Sequence, residues 1–395
     1  MGTEEDMTIE ERRKYLKKML PLYLAADRAT KGELLDQMER VTSMQRKSLI
    51  RLLKSQQLER KQPTTPRKRS YGMDVEKVVG VVWESLDYVC VERLKPSLLI
   101  TARHLERFGE LVLTPDLEQQ LLRISESTLQ RMTGRMRSPK LRLPRKGPYE
   151  ANRLRAQVPM KRIEWETTEP GHFEVDTVHH AGETSLGDYI HTIQMVDVAS
   201  QWSERVAVMG RGQAAMEGGF RHIVSRLPFP VVELHPDNGS EFFNDHLLRY
   251  FGSELTGLKL SRSKPFHKND NPHVEQKNDT LVRAYFGRSR LDTHRQLVLM
   301  NEVYELMWTY YNLFQPVLKL SRKRFEEGKL HREWHEAKTP YHRLKETKVL
   351  EPEQVQRLDE LYSSTNPRTL RQRIYELIPK LWEEGSGELG GDRAA

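Results

Sequence analysis

Cysteine is almost missing from this chain: Cys90 is the single one among 395 residues. One thiol builds neither a disulfide framework nor a cysteine-rich zinc site, which excludes a stapled secreted scaffold and a zinc finger. Cys90 falls in the apolar run "LDYVCVERL" and reads as a small buried hydrophobe. Long hydrophobic runs are missing as well. Nothing approaches the roughly 18 consecutive apolar residues of a membrane-spanning helix. The first residues, "MGTEEDMTIEERRKYL", lack the apolar core of a signal peptide. The expected location is therefore the cytoplasm, with no membrane partner. Aromatic residues are only 8% of the chain, yet 37% is hydrophobic and 30% charged, with a mean hydropathy of −0.71. That balance excludes a disordered chain and leaves room for two or three domains, each with its own core.

What is present in excess is positive charge, +8 overall with a pI near 9.3, and it is unevenly spread. Residues 134–163, "GRMRSPKLRLPRKGPYEANRLRAQVPMKRI", hold ten Lys/Arg against the single acid Glu150. Pro139, Pro144, Pro148 and Pro159 forbid a regular helix there. The stretch reads as an extended basic linker, suited to tracking a phosphate backbone with Lys140, Arg142, Arg145 and Lys146. A smaller copy, "ERKQPTTPRKRS", covers 59–70.

The residues before each basic stretch have helical periodicity. In the first block, Thr30 and Glu33 suggest a capping box, and Thr42/Ser43 suggest the start of a second helix carrying Arg46, Lys47, Arg51 and Lys54. Two short helices across a tight turn are the grammar of a helix-turn-helix DNA reader. The second block repeats it: Pro96 is expected to start one helix, Thr114-Pro115 another, and Ser125 to cap a last one that bears Arg131, Arg135 and Arg137.

From about residue 168 the period changes from 3.6 to 2. "GHFEVDTV", "DYIHTIQMVDV" and "WSERVAVM" read as three successive antiparallel strands. A helix over 213–226, a strand "VVEL", a helix "NDHLLRYFGSEL", a short strand "LKLSR" and a helix "HVEQKNDTLVRAYF" follow, then a helix over 296–312 and a basic, helical tail. The order βββαβαβα is that of a mixed-sheet α/β domain. It implies a ribonuclease H-like arrangement, with strand one central and strand four parallel beside it.

In that arrangement Asp176 lies on strand one, and Asp237 leaves strand four at the sheet end where ligands gather. Asn238-Gly239 supplies the turn that follows. Glu275 falls in the first turn of a helix opened by Asn271-Pro272, with Val274, Leu281 and Tyr285 as its packing stripe and Asn278 on Glu275's own face. Three carboxylates in one cleft repel unless cations sit between them. Two Mg²⁺ ions about 3.5–4 Å apart, or Mn²⁺ in their place, meet that demand and serve phosphoryl transfer. Asp197 reads instead as a turn-positioning residue. His179 and His180, as neighbours on a strand, point to opposite faces and are not a ligand pair.

These residues resemble the DDE catalytic core of integrases and transposases, retroviral integrases and bacterial insertion-sequence transposases among them. The resemblance rests on "GHFEVDTV", "HPDNGSEF" and "SKPFHKNDNPHVEQKN", taken in order, with 60 residues between Asp176 and Asp237 and 37 between Asp237 and Glu275. It implies that Asp176, Asp237 and Glu275 hold the metals, with Asn238, Gly239 and Asn278 in support. It also implies cleavage of transposon ends and their joining to target DNA, by a homo-oligomer assembled on double-stranded DNA in the nucleoid. Two departures stand out. The His/Cys zinc module of retroviral relatives is replaced by helix-turn-helix segments. The lysines those relatives carry four and seven residues after the glutamate are here Asp279 and Val282, leaving Lys277 and Arg283 as the nearest basic substitutes. The expected layout is multidomain α plus α/β: a helix-turn-helix module over 1–60, a second over 71–137, a basic linker over 138–167, a ribonuclease H-like core over 168–315 and a basic, helical C-terminal region over 316–395. The rival functions are a domesticated transposase acting as a DNA-binding regulator, and a nuclease of the same fold that cuts without joining.

Overall fold

The computed structural model describes residues 7–56, 58, 71–136, 169–236, 258–260, 272–326 and 329–383, with backbone alone at 260, 323, 325, 326, 329 and 330. Two units divide the chain, 1–70 and 71–395.

The first unit is three helices. Thr8 and Glu11 close a capping box at the start of α1 (Ile9–Ala25). Asp27 caps α2 (Arg28–Thr42) by accepting the Thr30 N–H, so Thr30 lies inside the helix rather than at its cap. Ser43 is not the start of the next helix but the left-handed residue that ends α2, and α3 (Arg46–Ser55) begins after Gln45. A left-handed residue reverses the chain within three positions, which is how the short connection is made. Leu16, Met38, Leu49 and Leu53 form the fully buried centre.

The second unit opens with four helices, α4 (Met73–Ser85), α5 (Val91–Glu106), α6 (Pro115–Arg123) and α7 (Glu126–Arg135). Thr114 and Ser125 cap α6 and α7 as the sequence predicts. α5, however, starts at Val91, and Pro96 sits inside it. Cys90 is the N-cap of α5 and is exposed, which corrects its reading as a core residue. The chain turns outward there, between the buried Val89 and Leu94.

The alternating segments follow as β1 (His172–His179), β2 (Ile190–Asp197) and β3 (Ser203–Met209), paired antiparallel. Next come α8 (Gln213–Arg226), then β4 (Glu233–Pro236) parallel to β1, and β5 (Lys259–Leu260) parallel to β4. The order β3-β2-β1-β4-β5 puts β1 at the centre with β4 parallel beside it, the expected arrangement. One face carries Phe173, Val175, Ile193 and Met195 and packs against Met216, Phe220 and Ile223 of α8. α8 lies so close that a Cβ on Gly219 would come within 2.6 Å of Ile193 Cδ1.

The other face, with Val178, Ile190 and Ala207, is covered by two further helices. The first is α9 (Pro272–Lys277), continued by a π-helical stretch Asn278–Arg283 and a last turn Ala284–Phe286. The π turns insert an extra residue, so the consecutive pairs Leu281/Val282 and Tyr285/Phe286 are all buried. The second is α10 (His294–Thr309), which ends in the π turns Tyr310–Phe314.

The tail departs from a purely helical reading. "LSRKRFEEGKLHREW" forms an antiparallel hairpin of β6 (Leu320–Glu326) and β7 (Lys329–Trp334), before α11 (Pro340–Thr347), α12 (Pro352–Ser364) and α13 (Pro367–Leu377). Tyr341, Leu344, Leu350 and Leu358 complete the hydrophobic cluster on the α8 face, and Ile374, Leu377 and Leu381 the cluster under α10. α13 also binds the helical block at the front of the unit. Arg371 pairs with Asp87 at 2.9 Å, Tyr375 donates to Asp87 at 2.8 Å, and Arg368 bridges Glu84 and Glu110.

Candidate active site

Period-two alternation sends Glu174, Asp176 and Val178 of β1 to the face that α9 covers. Two contacts lock the helix against the strand. Glu174 Oε2 accepts the backbone N–H groups of His273 and Val274 at 2.7 and 2.8 Å. A strand carboxylate thereby satisfies N–H groups that the first turn of a helix leaves free. One turn on, Asn278 Nδ2 donates to Asp176 Oδ2 at 2.7 Å, while the Thr177 N–H holds Oδ1 at 2.8 Å. Glu275, three residues before Asn278 and therefore its neighbour on the helix surface, is exposed, whereas Asp176 is half-buried.

Glu174 is 2% exposed. Burial pushes its carboxyl up to about 8; the charge of Glu275 adds to the rise and the two backbone N–H groups oppose it. The sequence reading passed over Glu174. Its signal was the shared alternation with Asp176, two residues on, but only the tertiary structure shows which helix it caps.

A row of polar side chains continues from Asp176 across the sheet. Gln194 is its register partner on β2, and Arg205 is the partner of Gln194 on β3. Both are buried, and among the described residues both amide atoms of Gln194, Oδ1 of Asn278, and Nε and Nη1 of Arg205 lack hydrogen-bond partners. Buried polar atoms are rarely left so, which marks unmet polar demand immediately beside Asp176.

Lys277 was read as a surface cation for DNA and is instead 7% exposed. Burial first, then the like charges of Arg93, Arg205 and Arg343, push its ammonium down to about 7. The π turn after Lys277 turns that residue inward together with Asn278. Arg283 is also committed inside the fold, donating to the His179 carbonyl at 2.8 Å. Asp197 behaves as read: fully buried, it accepts from the Gly171 N–H at 2.8 Å and from Ser200 N–H and Oγ at 2.7 and 2.5 Å. His180 turns inward to Thr192 at 2.9 Å.

The other candidates divide by place. Asp237, Asn238, Gly239, Arg137, Lys140, Arg142, Arg145 and Lys146 lie outside the described residues. Lys47 and Arg51 are exposed on α3, while Arg46 pairs back to Asp36 of α2. Arg131 is exposed on α7, and Arg135 pairs with Glu76 of α4 at 3.0 Å. Among the described residues no group of three His, Cys, Asp or Glu side chains is disposed to hold a metal. The pair that is described, Asp176 and Glu275, offers the hard carboxylate oxygens that Mg²⁺ and Mn²⁺ take. The orphaned amide of Gln194 beside Asp176 fits a hydrated ion of that kind.

Compared with known proteins, the chain matches no family model. An uncharacterized protein, y4rM of Sinorhizobium fredii, is 32% identical over 320 residues, spanning 80% of this chain and 90% of its own length. The catalytic core domain of BIV integrase, seen in a crystal structure, aligns with 45% of this chain and 95% of its own at 16% identity. Its TM-score of 0.29 is too loose a superposition to carry an argument. No described helix is long and apolar enough to cross a membrane.

Proposed function

This chain belongs to the protein family of the rhizobial y4rM, and we propose that it is a DDE-type DNA transposase, a polynucleotidyl transferase that cuts the 3′ ends of a mobile element and joins them to target DNA. One observation carries the reading. Asp176, on the central strand, is clamped by Asn278 of the very helix that bears Glu275. The parallel pairing of β1 with β4 runs up to Val175 and Pro236, and Asp237 follows Pro236 by one peptide unit, about 3.8 Å between Cα atoms. In this reading Asp237, the third carboxylate of the sequence motif, acts together with Asp176 and Glu275.

Each neighbour has work to do in that reading. Thr177 N–H and Asn278 Nδ2 orient the two oxygens of Asp176. Glu174, whose carboxyl is pushed up to about 8 by burial, anchors the start of α9 through the N–H groups of His273 and Val274. Asp176, Asp237 and Glu275 would hold two Mg²⁺ or Mn²⁺ ions. When bound, such ions lower the pKa of an attacking water or 3′-hydroxyl and stabilise the leaving oxygen of an in-line displacement. The exposed basic residues of α3 and α7 are suited to reading the element's ends, and two ends cut in concert call for a multimer on DNA.

The test uses duplex oligonucleotides taken from the DNA on either side of the gene, where this reading expects imperfect inverted repeats. Asp176→Asn, Asp237→Asn and Glu275→Gln each lower 3′ cleavage and strand transfer by more than about 100-fold and leave end binding near the unmodified level. Strand transfer that survives in any of the three removes that residue from the triad.

A further inference from the structure

The hairpin β6–β7 belongs to no part of the site just described. Every described side chain from Ser321 to Trp334 is exposed, on both faces of the ribbon, and Trp334 is 51% exposed. An isolated two-stranded ribbon is at best marginally stable in water, so the exposed faces of this one call for a partner.

The register identifies the chemistry of that partner. Lys323 is paired with Arg332, which sets two cationic residues directly opposite one another, while Arg324 stands opposite the imidazole of His331. Like charges at such positions destabilise a hairpin, unless an anion lies against them. Arg322 and Arg324 share one face with His331, and Arg332 and Trp334 share the other. Glu333 stands opposite Arg322 in the register and approaches Arg324 at 3.7 Å, with the Arg324 and Glu333 side chains about half exposed, which leaves Arg332 on the other face without an acid among the described side chains.

Among the described residues, the contacts that fix the ribbon are at its base. Val317 bridges Lys338, His335 N–H donates to the Lys319 carbonyl at 2.9 Å, and Arg343 Nη2 donates to the Val317 carbonyl at 2.8 Å. Lys319 Nζ reaches the Ala199 carbonyl at 2.9 Å, in the β2–β3 turn whose Gln201 contacts His273 at the start of α9. The ribbon therefore rises from the turn that supports the helix bearing Glu275.

We propose that the β6–β7 ribbon is a DNA-gripping arm that lies in a groove of the duplex, with Arg322, Arg324 and Arg332 on phosphates and Trp334 against the sugar-phosphate wall. Seven residues at about 3.3 Å each span roughly 23 Å, and a major groove about 12 Å wide admits a two-stranded ribbon. Basic residues on both faces meet both walls of such a groove. The proposal rests on the reading of duplex DNA as substrate and adds where that duplex is held.

The experiment titrates a roughly 30-base-pair duplex against the full chain over a salt series. The triple variant Arg322→Ala/Arg324→Ala/Arg332→Ala is expected to bind at least about tenfold more weakly, with a slope of log affinity against log salt shallower by up to about 2.7, three phosphate contacts at about 0.9 each. The fluorescence change on adding duplex should shrink in Trp334→Phe, a surface substitution that leaves the near-UV spectrum of the folded chain intact. Unchanged affinity and slope in the triple variant overturn the proposal, and so does a variant whose only defect is weaker self-association, which would make the ribbon a contact between copies. Failure of the catalytic reading looks different: Glu275→Gln would keep strand transfer, whatever the ribbon variants do.

Discussion

Asn278 shows how much a single side chain decides at the residue scale. Its amide supplies the hydrogen bond to Asp176 Oδ2 from a helix that also carries Glu275. Partners that orient a ligating carboxylate typically matter by 10–100-fold in metal affinity or activity. Asn278→Ala is therefore expected to lower strand transfer by about that factor and to raise the Mg²⁺ concentration it needs, with DNA binding unchanged; a metal titration of joining activity reads both. His180 makes a separate prediction about pH. Burial first, and then the charges of Arg283, His191 and His179, push its imidazole down to about 3. The folded value lies below the ordinary one near 6.5, so the neutral ring contributes stability that is complete above about 6.5 and is lost as pH falls toward 3. His180→Gln, able to keep a bond to Thr192, should flatten that limb, seen as a denaturation midpoint that changes less between pH 6.5 and 4 than in the parent chain.

At the scale of elements, close approach and buried charge hold the pieces in place. α8 rests on the sheet through Gly219, and even one added carbon meets Ile193 and Val208 side chains at 2.6 and 3.0 Å. Gly219→Val should cost about 1–3 kcal/mol through overpacking, measured by chemical denaturation. α13 meets the front helices through Arg371 and Asp87, whose residues are 3% and 8% exposed. Removing one partner leaves a buried charge uncompensated, so Arg371→Ala is expected to destabilise by about 3–5 kcal/mol. Replacements at the exposed Lys47 or Arg51 should change stability by less than about 0.5 kcal/mol.

The whole molecule is less divisible from residue 71 onward than its sequence suggests. The segment 168–315 reads as a self-contained core, yet both of its hydrophobic clusters are completed from beyond it. Tyr341 and Leu344 close one, and Ile374 and Leu381 the other. A fragment of 168–315 exposes the surfaces those residues cover and should lack a cooperative thermal transition and a native near-UV spectrum. A chain of 71–383, which keeps the tail and the helical block bound to it, should show both. A cooperative 168–315 fragment would mean that the tail is an accessory rather than part of the core.

The sequence alone determined the strands of the central sheet, because alternation of apolar and polar residues has no other regular solution, and it determined α8 and the central place of β1. It also singled out Asp176 and Glu275, because carboxylates at strand and helix positions within a motif are a local signal. Helix starts at Asp27 and Val91 were missed where several cap-forming residues compete within a few positions. The ribbon was missed because its charges mask a weak two-residue period. Glu174 as a helix cap, Gln194 opposite Asp176 and the inward turn of Lys277 were decided only by tertiary structure. Each depends on which strand lies beside which and on one extra residue in a π turn, and those are properties of packing between segments up to about a hundred positions apart.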